Sequence, residues 1–193
     1  AMAVSVRVVH GDAVLVGALA FEYHGEMSVH SVEPAAGALL GGTLVRVRGR
    51  GFDPSVPLVV RVGTRALVSA RVLSTTALEC TAPSQGLAGP LSLEVSRNAQ
   101  DFTGDEVLFE YQSALRLDDL APSRGPSSGG TAVVIAGVGF SRRSAALAYT
   151  HVRFNTTRVP AVWESSVELR VIAPEHASGL VGVEVTQNDQ QYA

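Results

Sequence analysis

Apolar and polar residues alternate along most of this chain of 193 residues. In the segment 44–50, for example, Val45 and Val47 stand between arginines. A period of two is typical of β-strands that bury one face. It recurs in the segments 68–72, 78–80, 91–95, 107–111, 167–171 and 181–185. Gly and Pro separate the segments at the spacing of a sandwich or small barrel. The pattern therefore predicts an all-β fold.

Three groups of residues recur along the chain with one offset of 88 residues. They are Pro-x-x-Gly with Gly-Gly-Thr (34–43 and 122–131), Gly-x-Gly-Phe (49–52 and 137–140) and Phe-Glu-Tyr (21–23 and 109–111). Past Phe140 the second copy is three residues longer, because the Ala-Pro pair ending at Pro83 recurs at Pro174. We expect this insertion in a surface loop between Arg142 and Tyr149. The repeat predicts about seven short strands in each copy.

The repeated motifs, together with the Cys-x-x-Pro segment that starts at Cys80, resemble the IPT/TIG domain family. The resemblance implies tandem immunoglobulin-like β-sandwich domains arranged end to end, as in plexin-like and fibrocystin-like cell-surface proteins. It assigns residues 1–26 to the C-terminal strands of a preceding domain, 27–112 to a complete domain and 113–193 to a domain without its last strand. The connections between them are very short, which favours a semi-rigid series of modules.

Composition excludes several kinds of chemistry. The chain has 15 basic residues, all of them arginines, and 18 acidic residues. The resulting net charge of −3 argues against nucleic-acid binding. Without lysine the chain has neither a Schiff-base lysine nor a P-loop. Its single cysteine, Cys80, excludes an intrachain disulfide, and its place in an apolar alternation predicts a buried thiol. No apolar run is long enough to span a bilayer, so we expect no membrane contact in this segment.

No group of residues suggests a catalytic site, a cofactor site or a metal site. The histidines lack metal-ligand spacing, and no serine or cysteine lies in a nucleophile motif. The densest carboxylates, Asp118-Asp119 and Asp101 with Asp105-Glu106, lack the pattern of a calcium-binding loop. A solvated turn is the simpler interpretation of Asp118-Asp119, and calcium at a domain joint is the alternative. We therefore predict a protein that is not an enzyme and carries no cofactor.

Three kinds of residue are candidates for contact with other molecules. Asn155-Thr156-Thr157 is a glycosylation sequon and predicts a modified turn if the protein is secreted. Trp163 is either part of the core or sheet edge, or an exposed binding aromatic like Tyr149. A set of arginines either forms a solvated face or binds acidic glycans or proteins; it comprises Arg46 and Arg48 with Arg50, Arg61, Arg65 and Arg71.

The family resemblance implies an extracellular scaffold or adhesion segment of a larger cell-surface or secreted protein. Such a segment acts through protein or glycan contacts, and its partners include other domains of the same chain. One alternative is a carbohydrate-binding module of a secreted enzyme, for which Trp163 and Tyr149 are the candidate aromatics. Another is the dimerisation domain of a Rel-type transcription factor, which the acidic charge disfavours.

Overall fold

The computed structural model describes residues 2–6, 9–10, 13–14, 19–64 and 66–193. The described part of residues 1–26 contains four short strands: β1 (Met2–Val6), β2 (Val9–His10), β3 (Ala13–Val14) and β4 (Leu19–Tyr23). β1 and β4 pair antiparallel, with Val4 opposite Phe21. Among the described residues these two strands form a sheet of their own. A ribbon of two strands is only marginally stable by itself.

Residues 27–112, which we call the first repeat, form two layers of strands. The strands are β5 (Ser28–Glu33), β6 (Ala36–Ala38), β7 (Leu44–Arg50), β8 (Leu58–Val62), β9 (Ala66–Ser74), β10 (Ala77–Thr81), β11 (Gly89–Ser96) and β12 (Leu108–Gln112). One layer has the order β5-β7-β10-β9 and the other β9-β8-β11-β12-β6. β9 belongs to both, because residues 66–70 pair with β8 and residues 71–74 with β10. The chain therefore crosses between the layers inside one strand.

The apolar positions of the alternating strands meet between the two layers. β7 shows the predicted pattern directly, since Val45 and Val47 are fully buried while Arg46 and Arg48 are exposed. The buried cluster consists of Val29, Val32, Val45, Val47, Phe52, Leu58, Val60, Val62, Leu78, Cys80, Ala82, Leu93, Val95, Phe109 and Tyr111. The prediction of an all-β fold with one-face-buried strands is confirmed.

Residues 113–193, the second repeat, repeat this arrangement with differences. The elements are β13 (Arg116–Ala121), β14 (Ala132–Val138), α1 (Arg142–Ala146), β15 (His151–Phe154), β16 (Thr157–Pro160), β17 (Val162–Ser165), β18 (Glu168–Ile172) and β19 (Val183–Thr186). They form the sheets β13-β14-β18-β17 and β16-β15-β19. β16 and β17 correspond to the two halves of β9. The core comprises Val133, Ile135, Phe140, Val152, Phe154, Leu169, Val171 and Val185.

The three-residue insertion falls in the segment Arg142–Tyr149, as the sequence predicts, but the expectation of a loop is wrong for five residues of that segment. Arg142–Ala146 form α1, whose N-cap Ser141 accepts a hydrogen bond from the backbone N–H of Ser144 at 3.2 Å. The side chain of Ser144 is buried. α1 is much too short to cross a bilayer, and no helix among the described residues is both long enough and apolar enough to do so.

The Gly-x-Gly-Phe motif works by allowing two chain segments to approach closely. A Cβ on Gly49 would lie inside the van der Waals shell of the Ser28 carbonyl oxygen and 2.6 Å from Cζ of Phe52. Gly137 stands in the same relation to the carbonyl of Arg116 and the ring of Phe140. The aromatic ring thus covers the glycine at the end of its own strand. The motif is a packing device of the sandwich.

This close approach leads to a testable prediction for stability. Gly49→Ala is expected to lower the free energy of unfolding of the first repeat by about 1–3 kcal/mol, because the added methyl group overpacks the strand. Urea unfolding followed by circular dichroism measures the change. Gly86→Ala is the matched control, since a Cβ there meets no atom within 4 Å. Equal stability of the two variants would contradict the packing role.

Candidate functional site

Asn155, the predicted glycosylation site, lies in the tight turn between β15 and β16. Its side chain is exposed, and its φ of 55° is a left-handed conformation that asparagine tolerates better than most residues. Its backbone N–H donates to the carbonyl of Gly182 at 2.8 Å, which holds the turn against β19. The amide group therefore faces solvent, as attachment of a sugar requires. Modification of Asn155 stays a prediction.

Trp163 lies on β17, the edge strand of its sheet, and is half-buried against the second core. Its Nε1–H donates to the carbonyl of Phe140 at 3.1 Å, and the guanidinium of Arg142 lies 5.9 Å from the ring centre. Tyr149 has different surroundings: its hydroxyl oxygen accepts from the backbone N–H of Ala35 at 3.4 Å. Tyr149 thus lies at the boundary between the repeats.

The predicted arginine set is divided between two sheets. Arg46, Arg48 and Arg50 are exposed on one face of β7. Glu79 pairs with Arg46 at 2.8 Å and approaches Arg71 at 3.9 Å, so it balances part of this charge. Arg61 lies on β8 in the other layer and is paired with Glu94. Arg65 lies outside the described residues.

The carboxylates singled out in the sequence serve local structure. Asp105 accepts from the backbone N–H of Val29 at 2.6 Å, and Asp101 accepts from Asn98 at 2.8 Å. The hydrogen bond from Arg116, 2.7 Å long, lowers the pKa of the Asp118 carboxyl. Within the described part of the chain, no three His, Cys, Asp or Glu side chains gather where a metal ion would bind.

Cys80 is a buried free thiol on β10, as the alternation predicts. Removal from solvent disfavours the thiolate and raises the pKa of Cys80 to about 12. The neutral thiol therefore persists at all pH values below that, and Cys80 acts as a small apolar core residue.

The burial of Cys80 predicts how slowly it reacts. At pH 8 only about one thiol in ten thousand is ionised when the pKa is near 12. We expect Ellman's reagent to leave the folded chain unmodified while the same chain reacts at once in guanidinium. Rapid reaction of the folded chain would show that the first core opens locally.

A polar joint between the two repeats is the most extensive site that sequence reasoning did not find. Its main element is the segment 187–192, which we call the second asparagine loop. The Gln190 amide accepts from the Leu44 backbone N–H at 2.7 Å and donates to the Leu44 carbonyl at 2.8 Å. Oγ1 of Thr43 donates to Oε1 of Gln191 at 3.0 Å and accepts from Nδ2 of Asn188 at 3.3 Å. Gln190 lies at the exposed rim, whereas Thr43 is 0% exposed.

The second asparagine loop is shaped by its own residues before it meets the first repeat. Oδ1 of Asn188 accepts from the backbone N–H groups of Gln190 and Gln191 at 3.1 and 3.0 Å. Asp189 has a φ of 60° and is paired with Arg158 at 2.7 Å. The loop also ends at Tyr192, whose ring centre lies 4.0 Å from the guanidinium carbon of Arg153. Little ordering entropy is therefore lost when the loop contacts Thr43.

A second set of contacts involves the inserted helix α1. The buried Gln112, at the end of β12, donates from Nε2 to Oγ of Ser144 at 2.5 Å. Arg143 approaches Glu110 at 3.3 Å. Buried polar groups need partners of this kind, since an unpaired one is costly. The insertion thus supplies part of the joint, and the connection between β12 and β13 is only three residues long.

The first repeat contains a loop of the same construction, residues 97–102, which we call the first asparagine loop. Oδ1 of Asn98 accepts from the N–H groups of Gln100 and Asp101 at 3.0 and 2.9 Å, and Ala99 has a φ of 58°. Arg61 lies 3.9 Å over the ring of Phe102. The recurrence of Asn-x-Gln at 98–100 and 188–190 is the sequence signal that marks both loops.

Comparison with known proteins agrees with this architecture. The family model described as IPT/TIG domain matches residues 27–111 and 115–193. Fibrocystin-L from Homo sapiens is 30% identical over 125 residues, which is 63% of this chain and 3% of that protein. Plexin-B1 from Homo sapiens is 31% identical over 116 residues, or 56% of this chain and 5% of its own length. The chain therefore spans only a small part of these relatives.

Solved structures show the same fold. The full extracellular region of plexin A4 superposes with a TM-score of 0.53 at 18% identity, covering 81% of this chain and 13% of that one. A second structure of this plexin gives a TM-score of 0.52 at 22% identity, covering 87% of this chain and 17% of the other. With two matched copies, the immunoglobulin-like sandwiches and the repeated motifs, this chain belongs to the IPT/TIG domain family.

Proposed function

We propose that the chain is a non-enzymatic scaffold and adhesion segment of a larger extracellular protein, in which the two repeats keep a fixed relative orientation. The observation that carries the proposal is the polar joint with Thr43 at its buried centre. Two modules that moved freely relative to one another would not keep matched donors and acceptors buried between them. Fixed orientation makes a series of such modules a semi-rigid spacer.

The number and placement of the joint contacts support this mechanical role. Hydrogen bonds contribute about 0.5–1.5 kcal/mol each in net terms, and those at the exposed rim contribute least. The second asparagine loop and α1 supply separate groups of contacts, so rotation about the connection breaks several at once. The outer faces, including exposed Arg48 and Arg50, stay available to a partner.

An extracellular location is supported by two observations. The plexin A4 structures that share the fold are of that protein's extracellular region. The sequon at Asn155 lies on an exposed turn, where a sugar is accommodated without disturbing the core.

Expression through the secretory pathway of animal cells tests the location. We expect the intact mass of the secreted chain to fall on treatment with an N-glycosidase. Thr157→Ala is expected to abolish this loss of mass while keeping Asn155 and its left-handed turn. Secretion of a folded chain without any sugar at Asn155 would remove this support for the extracellular assignment.

Protein partners are favoured over the carbohydrate alternative. The indole N–H of Trp163 is engaged by the carbonyl of Phe140, and its ring is half-buried, which leaves little face for stacking on a sugar. A glycan array separates the two: the proposal predicts no binding that depends on Trp163. The acidic net charge weighs against the Rel-type alternative, since it opposes contact with DNA.

A further inference from the structure

The outward face of β7 carries a row of arginines that the sandwich itself does not require. Along this strand every second residue is an exposed arginine, and the residues between them are buried; the row consists of Arg46, Arg48 and Arg50. The second repeat has neutral residues at the equivalent positions under the 88-residue offset, namely Val134, Ala136 and Val138. Because the same fold forms with neutral side chains there, the arginines are a property of this one face and not of the fold.

At one end of the row, carboxylates balance the positive charge. In the register of the sheet, Arg46 lies between Glu33 on β5 and Glu79 on β10. The carboxylate of Glu79 pairs with Arg46 at 2.8 Å and approaches the guanidinium of Arg71 on β9 at 3.9 Å. The charge at this end of the row is therefore compensated within the sheet.

At the other end of the row, Arg48 and Arg50 have no acidic neighbour in the register. Arg48 lies between Ser31 on β5 and Ala77 on β10, and Arg50 lies opposite Ser28. Within the part of the chain that the structure describes, neither guanidinium forms an ion pair. The neighbouring side chains are small, so both guanidiniums are accessible from outside the sheet. Two adjacent like charges without a counter-charge attract an anionic group.

Packing of one repeat against the next leaves this face uncovered. Val138, the counterpart of Arg50, stays 37% exposed although the first repeat precedes it in the chain. In the joint, the second repeat contacts the first through the second asparagine loop and α1, and the outward face of β14 takes no part. The face that carries Arg48 and Arg50 is therefore available to a partner in a series of repeats.

We propose that Arg48 and Arg50 bind an acidic, extended segment of a partner protein that runs along β7. Residues two positions apart in an extended chain are separated by about 6.8 Å, so carboxylates at alternate positions of such a segment match the spacing of the two arginines. Each guanidinium presents a planar fork of donors that fits one carboxylate. This inference rests on the proposed function, because it names the chemistry of the partner that the adhesion segment binds.

Apolar side chains beside the arginines favour a protein over a sulfated polysaccharide. Leu44 continues the exposed row on β7 and is 50% exposed, and Leu73, at the irregularity between β9 and β10, is 39% exposed. Protein interfaces combine arginines with buried apolar contacts, and the burial of leucine side chains adds to binding. A sulfated polysaccharide carries its charges on a polar backbone and gains little from such contacts.

Fluorescence anisotropy with a labelled peptide of alternating glutamate and threonine tests the proposal on the chain as printed. A peptide of the same length with glutamine in place of glutamate is the reference and is expected not to bind. We expect binding of the glutamate peptide to weaken as salt is added, because exposed charge pairs are screened. Arg48→Ser with Arg50→Ser is expected to raise the dissociation constant about tenfold, since two charge pairs are lost. Glu33→Gln is expected to lower it about twofold, because a carboxylate that repels the peptide is removed from the face.

The matched control is Arg124→Ser with Arg142→Ser, which removes the same charge from exposed positions of the second repeat and is expected to leave the dissociation constant unchanged. Circular dichroism checks that all variants remain folded. No binding of the glutamate peptide, or equal weakening by the two double variants, would overturn the proposal. Binding of heparin in place of the peptide, lost in the R48S, R50S variant, would overturn it in favour of a sulfated polysaccharide. None of these outcomes bears on the fixed orientation of the repeats, because Thr43 and the second asparagine loop take no part in the binding.

Discussion

Replacing Phe52 with alanine is expected to lower the free energy of unfolding of the first repeat by about 3–5 kcal/mol. The ring is fully buried, and it covers Gly49 at the end of β7. Truncation removes its apolar surface and leaves a cavity that the strands on either side fill only in part. Because one aromatic ring closes this end of the sandwich, no other single truncation in the motif is expected to cost as much.

The single tryptophan makes the effect of Phe52→Ala separable from changes in the second repeat. Trp163 belongs to the second core, so its fluorescence reports unfolding there, while circular dichroism reports both repeats. We expect the variant to shift the circular dichroism transition more than the fluorescence transition, and Phe140→Ala to shift the fluorescence transition. Leu40→Ala, at an exposed position, is the control and should change stability by less than about 0.5 kcal/mol. An unchanged unfolding curve for Phe52→Ala would contradict the packing role of the motif.

The joint is expected to open when the buried polar contacts of Thr43 and of Gln112 are removed. Thr43→Val with Gln112→Ala removes the hydroxyl that contacts Asn188 and Gln191 and the amide that contacts Ser144. The buried Ser144 hydroxyl loses its partner at a cost of about 1–3 kcal/mol, and the two hydrogen bonds lost at Thr43 contribute about 0.5–1.5 kcal/mol each, so the joint loses about 2–6 kcal/mol in all. Both repeats keep their apolar cores, because neither substitution replaces a residue of the two core clusters.

Backbone ¹⁵N relaxation measures this effect. In the unchanged chain we expect one correlation time for both repeats, and in the joint variant two shorter ones. Thr131→Val with His24→Ala is the matched control. These residues stand at the positions equivalent to Thr43 and Gln112 under the 88-residue offset, but they lie outside the joint. If the joint variant still tumbles as one body, the polar contacts do not hold the orientation.

The fold was predictable from the sequence because its signals are local and repeated. The alternation seen in β7 recurs in several short segments. The Gly-x-Gly-Phe motif appears twice, at positions 88 residues apart. Burial of Cys80 followed from the same alternation. One-face-buried strands and glycines at close approaches leave such marks because the physical requirement acts on neighbouring residues.

The joint was not predictable in the same way, because its partners are distant in sequence. Gln190 and Leu44 are 146 residues apart, and neither breaks a hydrophobic pattern. Asn188 and Gln191 are residue types that are common in surface turns. Nothing in the residue types therefore distinguishes a contact with the other repeat from a contact with water. The insertion was found by its length, but its helix depends on the Ser141 cap and on burial of Ser144, which alignment of the repeats does not show.

Residual dipolar couplings on the unmodified chain measure whether the two repeats have one fixed relative orientation. The measurement is made at a concentration where the chain is monomeric, and an alignment tensor is fitted to each repeat separately. The joint between Thr43 and the second asparagine loop predicts that the two tensors agree in magnitude and direction when the repeats are placed as in the structure. Tensors of clearly different magnitude, as two independently moving modules produce, would show that the joint does not fix the orientation of the repeats.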